Sequence, residues 1–254
     1  KLNKNFNSMI DRLKTQQNKL LANERHEAWE NVARKIAHEI KNPLTPIQLI
    51  IDSLRKKYTE HLDENNKKSF NENVNTINKQ VKLIEQLVNE FSDFARMPKP
   101  IFKKIDLKKI ANDSLKLMKI NDEKIKIILK CTDKVLVLAD VDQINRVFIN
   151  LIKNSMESLD EKYKKNNDFV KKIIIEICEI KEYIEILIID NGTGFSTKNL
   201  PEVTKPYFTT KKNGSGLGLS IVVKIINDHN GSIDFLNYNE GAKIKITLPK
   251  LNVS

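Results

Sequence analysis

Residues 172–194 read KIIIEICEIKEYIEILIIDNGTG, two isoleucine-rich segments followed by a short glycine-containing stretch. The segments 172–180 and 183–190 are rich in β-branched residues and partly alternate Ile with Glu, which predicts two strands. Asp190 ends the second segment. A carboxylate at a strand end can accept a hydrogen bond from a buried ligand N–H group, and glycines beside it let a ligand approach the backbone. The stretch therefore predicts either a tight turn or the floor of a ligand pocket.

Glycine is scarce in this chain and concentrated in one region. The 254 residues include seven glycines, five of which lie within residues 192–218. These five are Gly192, Gly194, Gly214, Gly216 and Gly218. The last three, with Leu217 and Leu219, lead into an apolar helical pattern, and such backbone at a helix N-terminus is suited to binding anions. Neither a P-loop nor a dinucleotide fingerprint fits the spacing, so a flexible loop is the alternative.

The interval between the two glycine groups is rich in cationic side chains. It contains Lys205, Lys211 and Lys212, together with Phe208 and several threonines. Lysines beside glycine-rich backbone favour a mobile lid that covers phosphate groups.

A predicted helix over residues 142–160 carries two asparagines on one face. Asn150 and Asn154 are four residues apart and therefore neighbours on the helix surface. Asparagine is a poor helix former, so two of them in mid-helix require an explanation. One interpretation is a polar surface. The other is a pair of amide oxygens that bind Mg²⁺, which prefers hard oxygen ligands, on a phosphate group.

A third group of polar residues lies in the segment 38–46, which reads HEIKNPLTP. His38 stands about 200° around a helix from the apolar residues two positions away, so it should face solvent. Glu39 adjoins it, Asn42 follows one turn later, and the two prolines are expected to bend the helix. An exposed histidine usually has no chemical role, but a neutral imidazole beside a carboxylate can act as a nucleophile.

The composition excludes several classes of protein. Hydrophobic residues make up 40% and charged residues 30%, which is typical of a globular protein. The net charge of +11 is spread evenly and aromatic residues make up only 6%, which favours a solvated lysine surface over a nucleic-acid site. No apolar run is long enough to span a membrane. Cys131 and Cys178 are predicted to be reduced and buried in strands, which indicates a cytosolic setting.

Apolar residues recur at alternating steps of three and four in the first hundred residues, as in a heptad seam. The pattern predicts helices over residues 1–22, 28–55 and 71–95, with a polar loop at 59–69. The clearest seam consists of Val74, Ile77, Val81, Ile84, Val88, Phe91 and Ala95. A lone hairpin cannot bury two such seams, so residues 28–95 are predicted to form a homodimeric four-helix bundle. Packing against the rest of the chain is the alternative.

A proline-containing linker is predicted at 97–105, and the pattern beyond it changes to mixed α and β. Helices are predicted at 107–119, 142–160 and 217–228, and strands at 126–131, 135–139, 172–180, 183–190, 232–236 and 242–248. Strands arranged mostly as hairpins with separated helices favour one sheet with helices on one face. The predicted fold class is therefore a dimeric helical hairpin followed by an α/β-sandwich domain at 106–254.

These elements, in this order, resemble the two-component sensor histidine kinases over roughly residues 25–250. His38 heads a segment similar to the H box of that family, and Asn150 and Asn154 lie in a segment similar to its N box. The segments 190–194, 206–211 and 214–219 resemble the G1, F and G2 boxes. The His38 segment looks closest to the NtrY-type nitrogen-regulation sensors. Residues 1–27 resemble the end of a HAMP signal-relay helix, and 28–96 the dimerisation and phosphoacceptor domain.

The resemblance implies an ATP-dependent protein-histidine kinase. Asp190 would receive the adenine amino group, and Asn154, with Asn150 as a second candidate, would hold Mg²⁺ on the phosphates. His38 would attack the γ-phosphorus while Glu39 takes or orients its proton. The other nucleotide contacts that the resemblance implies are Gly192, Gly194, Phe208, Lys211, Gly214, Gly216, Leu217, Gly218 and Leu219.

The resemblance also implies partners. The phosphoryl group would pass to an aspartate of an NtrX-like response-regulator receiver domain, and Glu39 with Asn42 would support dephosphorylation of that partner. No nucleic acid is implied. We expect the chain to be the cytoplasmic portion of a longer inner-membrane protein, with membrane contact only through segments absent here. One departure is Glu157, which stands where many relatives carry a basic residue.

Two other functions compete with the kinase. ATPases such as gyrase, Hsp90 and MutL share the counterparts of Asn154 and Asp190, but they carry a water-activating glutamate where this chain has Asn150, a poor base. A catalytically silent scaffold that binds a regulator is the second rival, although no candidate site residue is lost.

Overall fold

The computed structural model describes residues 32–59, 62–119, 125–131, 134–166, 168–196, 200–211, 214–238 and 241–251. Contacts between residues divide the protein into two compact units, Lys1–Met97 and Pro98–Ser254. The predicted relay helix over 1–27, the start of the helix predicted over 28–55 and Lys212 lie outside the described residues. None of the described helices combines the length and the apolar run that a bilayer crossing requires.

The described residues of the first unit form two long helices. Helix α1 spans residues 32–58, and helix α2 spans Glu64–Ala95. The loop predicted at 59–69 is wrong in its second half, because α2 has already begun there. Its start is set by Asp63, whose side chain accepts a hydrogen bond from the backbone N–H of Asn66 at 3.0 Å. This N-cap lets the helix begin among polar residues, whose side chains remain at the surface.

The apolar residues of the two helices fall into two stripes. The buried stripe comprises Ala33, Ala37, Leu44, Ile51, Val74, Val81, Val88 and Ala95. Its central members Leu44, Ile51, Val74 and Val81 form one cluster, with Phe70 packed against it. The exposed stripe, offset by three or four positions, comprises Ile36, Ile40, Ile47, Leu54, Ile77 and Ile84, each 38–48% exposed. One chain therefore buries only part of the predicted seam.

The second unit contains seven strands and three longer helices within its described residues. Their order is β1 (Lys103–Asp106), α3 (Leu107–Lys119), β2 (Lys126–Lys130), β3 (Leu136–Ala139), α4 (Val141–Lys165), β4 (Lys172–Ile180), β5 (Tyr183–Asp190), a 3₁₀ turn (Leu200–Glu202), α5 (Gly218–Asp228), β6 (Ser232–Tyr238) and β7 (Gly241–Pro249). The predicted strands and helices of this unit agree with these bounds to within two residues, except at the end of α4. That helix runs five residues further, and three lysines in its last turn suit the negative end of the helix dipole.

The main sheet has the order β2-β4-β5-β7-β6, and its described pairs are antiparallel except β2 with β4. Ile175 lies opposite Ile188 in the register, and Ile188 lies opposite Ile244. All three are 3% exposed or less, and residues directly opposite one another share a face of the sheet. Helices α3, α4 and α5 contact the strands, with Phe148 and Leu151 of α4 fully buried. The predicted α/β sandwich is confirmed.

Three details differ from the prediction. A second, two-stranded sheet pairs β1 with β3, so the unit does not have a single sheet. Strand β1 also begins inside the predicted linker at 97–105, because its sequence KKID contains one apolar residue and therefore shows no strand pattern. Cys178, predicted to be buried, is exposed, since it follows Ile177 on β4 and therefore points to the opposite face; Cys131 is half-buried.

The exposed stripe generates a prediction about association. Changing both Ile77 and Ile84 to Asp should raise the dissociation constant of a homodimer at least about 100-fold, because a carboxylate pays a large desolvation penalty in an apolar interface. The measurement is molar mass by light scattering across a dilution series. Asn75→Asp with Lys82→Asp is the control, since each lies two residues before a stripe position and on the opposite side of α2. A wild-type monomer at micromolar concentration would contradict the predicted dimer.

Candidate functional site

Asp190 is the last residue of β5 and is buried at 6% exposure. Its Oδ2 accepts a hydrogen bond from Ser155 Oγ of α4 at 2.9 Å. Its Oδ1 accepts from the backbone N–H of Gly192 at 2.9 Å and of Ala242 at 3.3 Å. Burial raises the pKa of Asp190, although these hydrogen bonds and the charge of Lys162 oppose the rise. The helix, the following turn and strand β7 thus all orient this carboxylate.

The turn after Asp190 packs tightly on α4. A Cβ atom at Gly192 would lie 2.2 Å from Ser158 Oγ, so a side chain there would collide with the helix. Ser158 Oγ also accepts a hydrogen bond from the backbone N–H of Thr193 at 2.9 Å. Glycine at position 192 therefore lets the turn lie directly on the helix that carries the candidate phosphate residues.

The far side of the same turn is held by strand β6. Asn237 accepts a hydrogen bond from the backbone N–H of Phe195 at 2.7 Å and donates its amide N–H to the Phe195 carbonyl at 2.8 Å. A Cβ at Gly194 would lie 2.9 Å from Asn237 Oδ1. The turn is thus fixed between α4 and β6.

The second glycine group contacts the segment that precedes it. Gly216 has a φ of +70°, and a Cβ there would lie 2.7 Å from the carbonyl oxygen of Phe208. The Gly216 carbonyl accepts a hydrogen bond from the backbone N–H of Tyr207 at 3.1 Å. A Cβ at Gly214 would lie 2.7 Å from Thr209 Oγ1. Residue 216 must therefore be glycine for both conformational and steric reasons.

The N-terminus of α5 lies against the two asparagines of α4. A Cβ at Gly218 would lie 3.2 Å from Asn150 Oδ1 and 3.9 Å from Asn154 Nδ2. Leu217, the N-cap residue, is buried and makes no side-chain capping hydrogen bond, and Leu219 is half-buried in the first turn. The free end of a helix dipole and two amide groups therefore converge here.

Lys211, in the segment before Gly214, also contacts Asn154. Its Nζ donates a hydrogen bond to Asn154 Oδ1 at 3.1 Å and makes an ion pair with Glu157 of α4. Phe208, three residues earlier, is half-buried. Amide oxygens, a helix N-terminus and a lysine fit the oxygen preference of Mg²⁺ and the charge of a phosphate chain.

The His38 group lies in the other compact unit. His38, Glu39 and Asn42 are all exposed on α1, as the helical phase of His38 predicts. The carboxylate of Glu39 is 4.0 Å from Lys35 Nζ, one turn earlier. α1 continues through both prolines of this segment, and proline lacks the N–H that would otherwise bond to the carbonyl four residues earlier. The structure thus presents an accessible imidazole at His38, and the next residue in the chain is an exposed carboxylate.

Several residues of the nucleotide-side site were not expected from the sequence. Ser155 and Ser158 follow Asn154 on α4, and Asn237 lies on β6, far away in the chain. Of the three, Ser155 alone has a local sequence signal for a role in the site, because it directly follows Asn154. Their roles depend on which elements meet, and sequence spacing does not show this.

The buried carboxylate generates a stability prediction. Asp190→Asn should keep or raise the free energy of unfolding at pH 7, because the amide oxygen can still accept from Gly192 and Ala242 and the desolvation of a charge is removed. Because the pKa of Asp190 is raised in the folded protein, the contribution of this carboxyl to stability falls as pH rises from the unfolded pKa of 3.8 through the native pKa.

The difference in free energy of unfolding between Asp190→Asn and wild type should therefore be largest at neutral pH and shrink towards pH 3.8. Urea unfolding at several pH values measures it. A large loss of stability in the variant at every pH would contradict this account of the site.

Comparisons with known proteins match both units of the chain. Residues 139–252 match the family described as histidine kinase-, DNA gyrase B-, and HSP90-like ATPase, and residues 28–100 match the His Kinase A (phospho-acceptor) domain. Among solved structures, the ThkA histidine kinase in complex with the response regulator TrrA superposes with a TM-score of 0.61 at 24% identity, covering 90% of this chain and 64% of that one. Full-length ShkA in complex with AMPPNP gives 0.65 at 16%, covering 87% and 46%.

Curated relatives are more similar in sequence. A putative NtrY-like sensor histidine kinase of Rickettsia felis is 37% identical over 252 residues, covering 98% of this chain and 41% of the relative. The nitrogen regulation protein NtrY of Azorhizobium caulinodans is 36% identical over 231 residues, covering 90% and 30%. The chain thus spans less than half the length of these relatives. The two family matches, together with this identity over most of the chain, show that it belongs to the sensor histidine kinases.

Proposed function

We propose that this chain transfers the γ-phosphoryl group of ATP to His38 and then to an aspartate of a response-regulator receiver domain. The observation that carries the proposal is the presence of two complementary sites in one chain. One offers an exposed imidazole next to Glu39 in the chain, and the other a buried carboxylate together with an ammonium and a helix N-terminus near Asn154 that are suited to phosphate. Membership of the sensor histidine kinases supports the same reaction.

Asp190 is proposed to accept a hydrogen bond from the adenine amino group. Its two oxygens are already oriented by three protein donors, so the remaining acceptor sites keep a defined direction. Gly192 and Gly194 would form the floor beside it. The group Phe208, Lys211, Gly214, Gly216, Leu217, Gly218 and Leu219 would surround the triphosphate through backbone N–H groups, the helix dipole and one ammonium.

Asn154 is the proposed magnesium ligand, and Asn150 is a second candidate. Mg²⁺ would neutralise charge on the phosphate oxygens when bound. Asn150 Nδ2 donates to the carbonyl of Arg146 at 2.8 Å, while its Oδ1 lies on the side of Gly218. Both amide oxygens can thus be held on the face of α4 that meets the proposed triphosphate site.

At the phosphoacceptor site, an unprotonated imidazole nitrogen of His38 would attack the γ-phosphorus. The new N–P bond forms as the bond to the β,γ-bridging oxygen breaks, and ADP leaves with that electron pair. Glu39, the next residue along the chain, would accept or orient the proton of the other imidazole nitrogen. Such a transfer depends mainly on positioning and charge neutralisation.

The proposal includes the partners implied by the resemblance. A homodimer would bury the exposed stripe of α1 and α2. The ThkA–TrrA complex is a histidine kinase bound to a response regulator, and this supports a receiver domain as the partner here. The similarity to NtrY supports an NtrX-like regulator as the proposed partner. ATP is available in the cytoplasm, which supports a cytoplasmic position in a longer membrane-bound sensor.

The rival ATPase function lacks a water-activating base at the expected place. Asn150 stands at the position of the expected glutamate and uses its amide N–H on its own helix. An amide oxygen is a poor base, so release of free phosphate would be slow. The silent scaffold is disfavoured by the assembled Asp190 and Asn154 sites.

Autophosphorylation is the decisive test. With γ-labelled ATP and Mg²⁺, the wild type should take up an acid-labile, alkali-stable label, because a phosphoramidate has that stability. His38→Gln should reduce labelling to background while nucleotide affinity is unchanged, and Asp190→Asn should reduce both labelling and affinity. Free phosphate without labelled protein would indicate the ATPase, and absence of nucleotide binding would indicate the scaffold.

Dephosphorylation of the partner gives a separate prediction. Asn42→Ala should keep labelling of His38 within about threefold, but slow loss of phosphate from the phosphorylated receiver domain by roughly tenfold or more, since a group that orients water is removed. Release of phosphate from the purified receiver domain is the measurement. Thr45→Ala, one turn further along α1, is the control. Equal rates with wild type and Asn42→Ala would contradict a role for this residue.

A further inference from the structure

Lys211 is shared between two residues of α4. Its Nζ donates to Asn154 Oδ1 at 3.1 Å and pairs with the carboxylate of Glu157. Asn154 and Glu157 are three residues apart, so they are neighbours on one face of the helix. The lysine ammonium thus rests on the oxygen that the proposed function assigns to the metal ion.

A metal ion and this ammonium cannot share the oxygen favourably. Two cations at one amide oxygen repel each other, and Mg²⁺ requires short, well-directed oxygen contacts. A phosphate chain at the N-terminus of α5 would at the same time offer Lys211 a new anionic partner. Binding of the metal–nucleotide complex therefore favours breaking both contacts of Lys211.

The ion pair is poorly suited to a purely structural role. The side chains of Lys211 and Glu157 are 39% and 41% exposed, and an ion pair at that exposure adds little to stability. It nevertheless connects the segment before Gly214 to α4 across 54 residues of sequence. A weak contact of this kind can be exchanged for a stronger one at small cost.

We propose that Glu157 is a positioning residue that keeps Lys211 on Asn154 until a metal-bound nucleotide releases it. Glu157 carries the charge opposite to the basic residue expected at this position, and Lys211 supplies that missing basic group from the neighbouring segment. The arrangement selects for nucleotide with metal, because a metal-free triphosphate would meet the carboxylate of Glu157 without a divalent cation to offset it. This inference rests on the proposed nucleotide site.

Zero-length carbodiimide crosslinking tests the pair directly, since it joins a lysine amine to a carboxylate only when they are in contact. Mass spectrometry of the digested chain should detect a Lys211–Glu157 crosslink in the nucleotide-free protein and none in Glu157→Gln. The pair Lys130–Glu176, 2.7 Å apart on the sheet, is the internal control and should not respond to nucleotide.

The yield is compared for four samples: no addition, Mg²⁺ alone, a non-hydrolysable ATP analogue alone, and both together. At about 100 times the dissociation constant, roughly 1% of the protein remains free, so the complete mixture should lower the Lys211–Glu157 yield more than about tenfold. The single additions should lower it less. A fluorescent nucleotide measures occupancy separately.

Failure of the inference and failure of the proposed function are distinguishable. If nucleotide binds with Mg²⁺ and the crosslink persists, or if the crosslink is absent without nucleotide, the inference is overturned and the nucleotide site stands. If no nucleotide binds, the proposed function fails as well.

A second measurement addresses selectivity for the metal complex. Glu157→Gln should increase affinity for metal-free ATP more than affinity for the magnesium complex, which lowers the ratio between them. Glu161→Gln removes the same charge one turn further along α4, where it pairs with Lys165 at 3.3 Å, and should leave the ratio within about twofold of wild type. Equal effects of the two variants would overturn the role of Glu157.

Discussion

The buried carboxylate of Asp190 constrains the second unit more than any other single group. A carboxylate at 6% exposure is costly unless hydrogen-bond donors surround it, and the donors here come from α4, from the turn after β5 and from β7. Satisfying Asp190 therefore requires the end of β5 to lie within hydrogen-bond distance of Ser155 on α4. Because Asn150 and Asn154 lie on that same helix, the proposed adenine and phosphate contacts are positioned by a common element.

The turn after Asp190 and the segment before α5 are also held by close contacts. The turn at Gly192 fits only because no side chain separates it from Ser158, and Asn237 holds its other side through two hydrogen bonds to Phe195. Gly216, with its positive φ, brings the preceding segment close to the start of α5. Most of the scarce glycine thus lies where backbone must approach backbone or a helix, while the described part of the helical hairpin contains none.

In the first unit, the apolar residues of α1 and α2 are divided between a buried stripe and an exposed stripe. The buried stripe joins α1 to α2, and the exposed stripe remains for a second copy of the chain in the proposed dimer. His38 belongs to neither stripe, so its imidazole remains accessible whichever stripe is covered. In the proposed kinase, burial of the hairpin and access to the phosphoacceptor are therefore compatible.

The sequence by itself determined the elements and the chemistry they carry. The bounds of strands β2 to β7, the glycine groups, the asparagine pair and the solvent-facing His38 follow from local periodicity and spacing, which act over a few residues. Tertiary structure alone decided that β2 runs parallel to β4, that β1 pairs with β3, and that Ser155, Ser158 and Asn237 support the turn after Asp190. It also placed Lys211 on Glu157, a residue that looked only like a departure from the family. These contacts join residues far apart in the chain, and their energies depend on burial and packing that no local pattern contains.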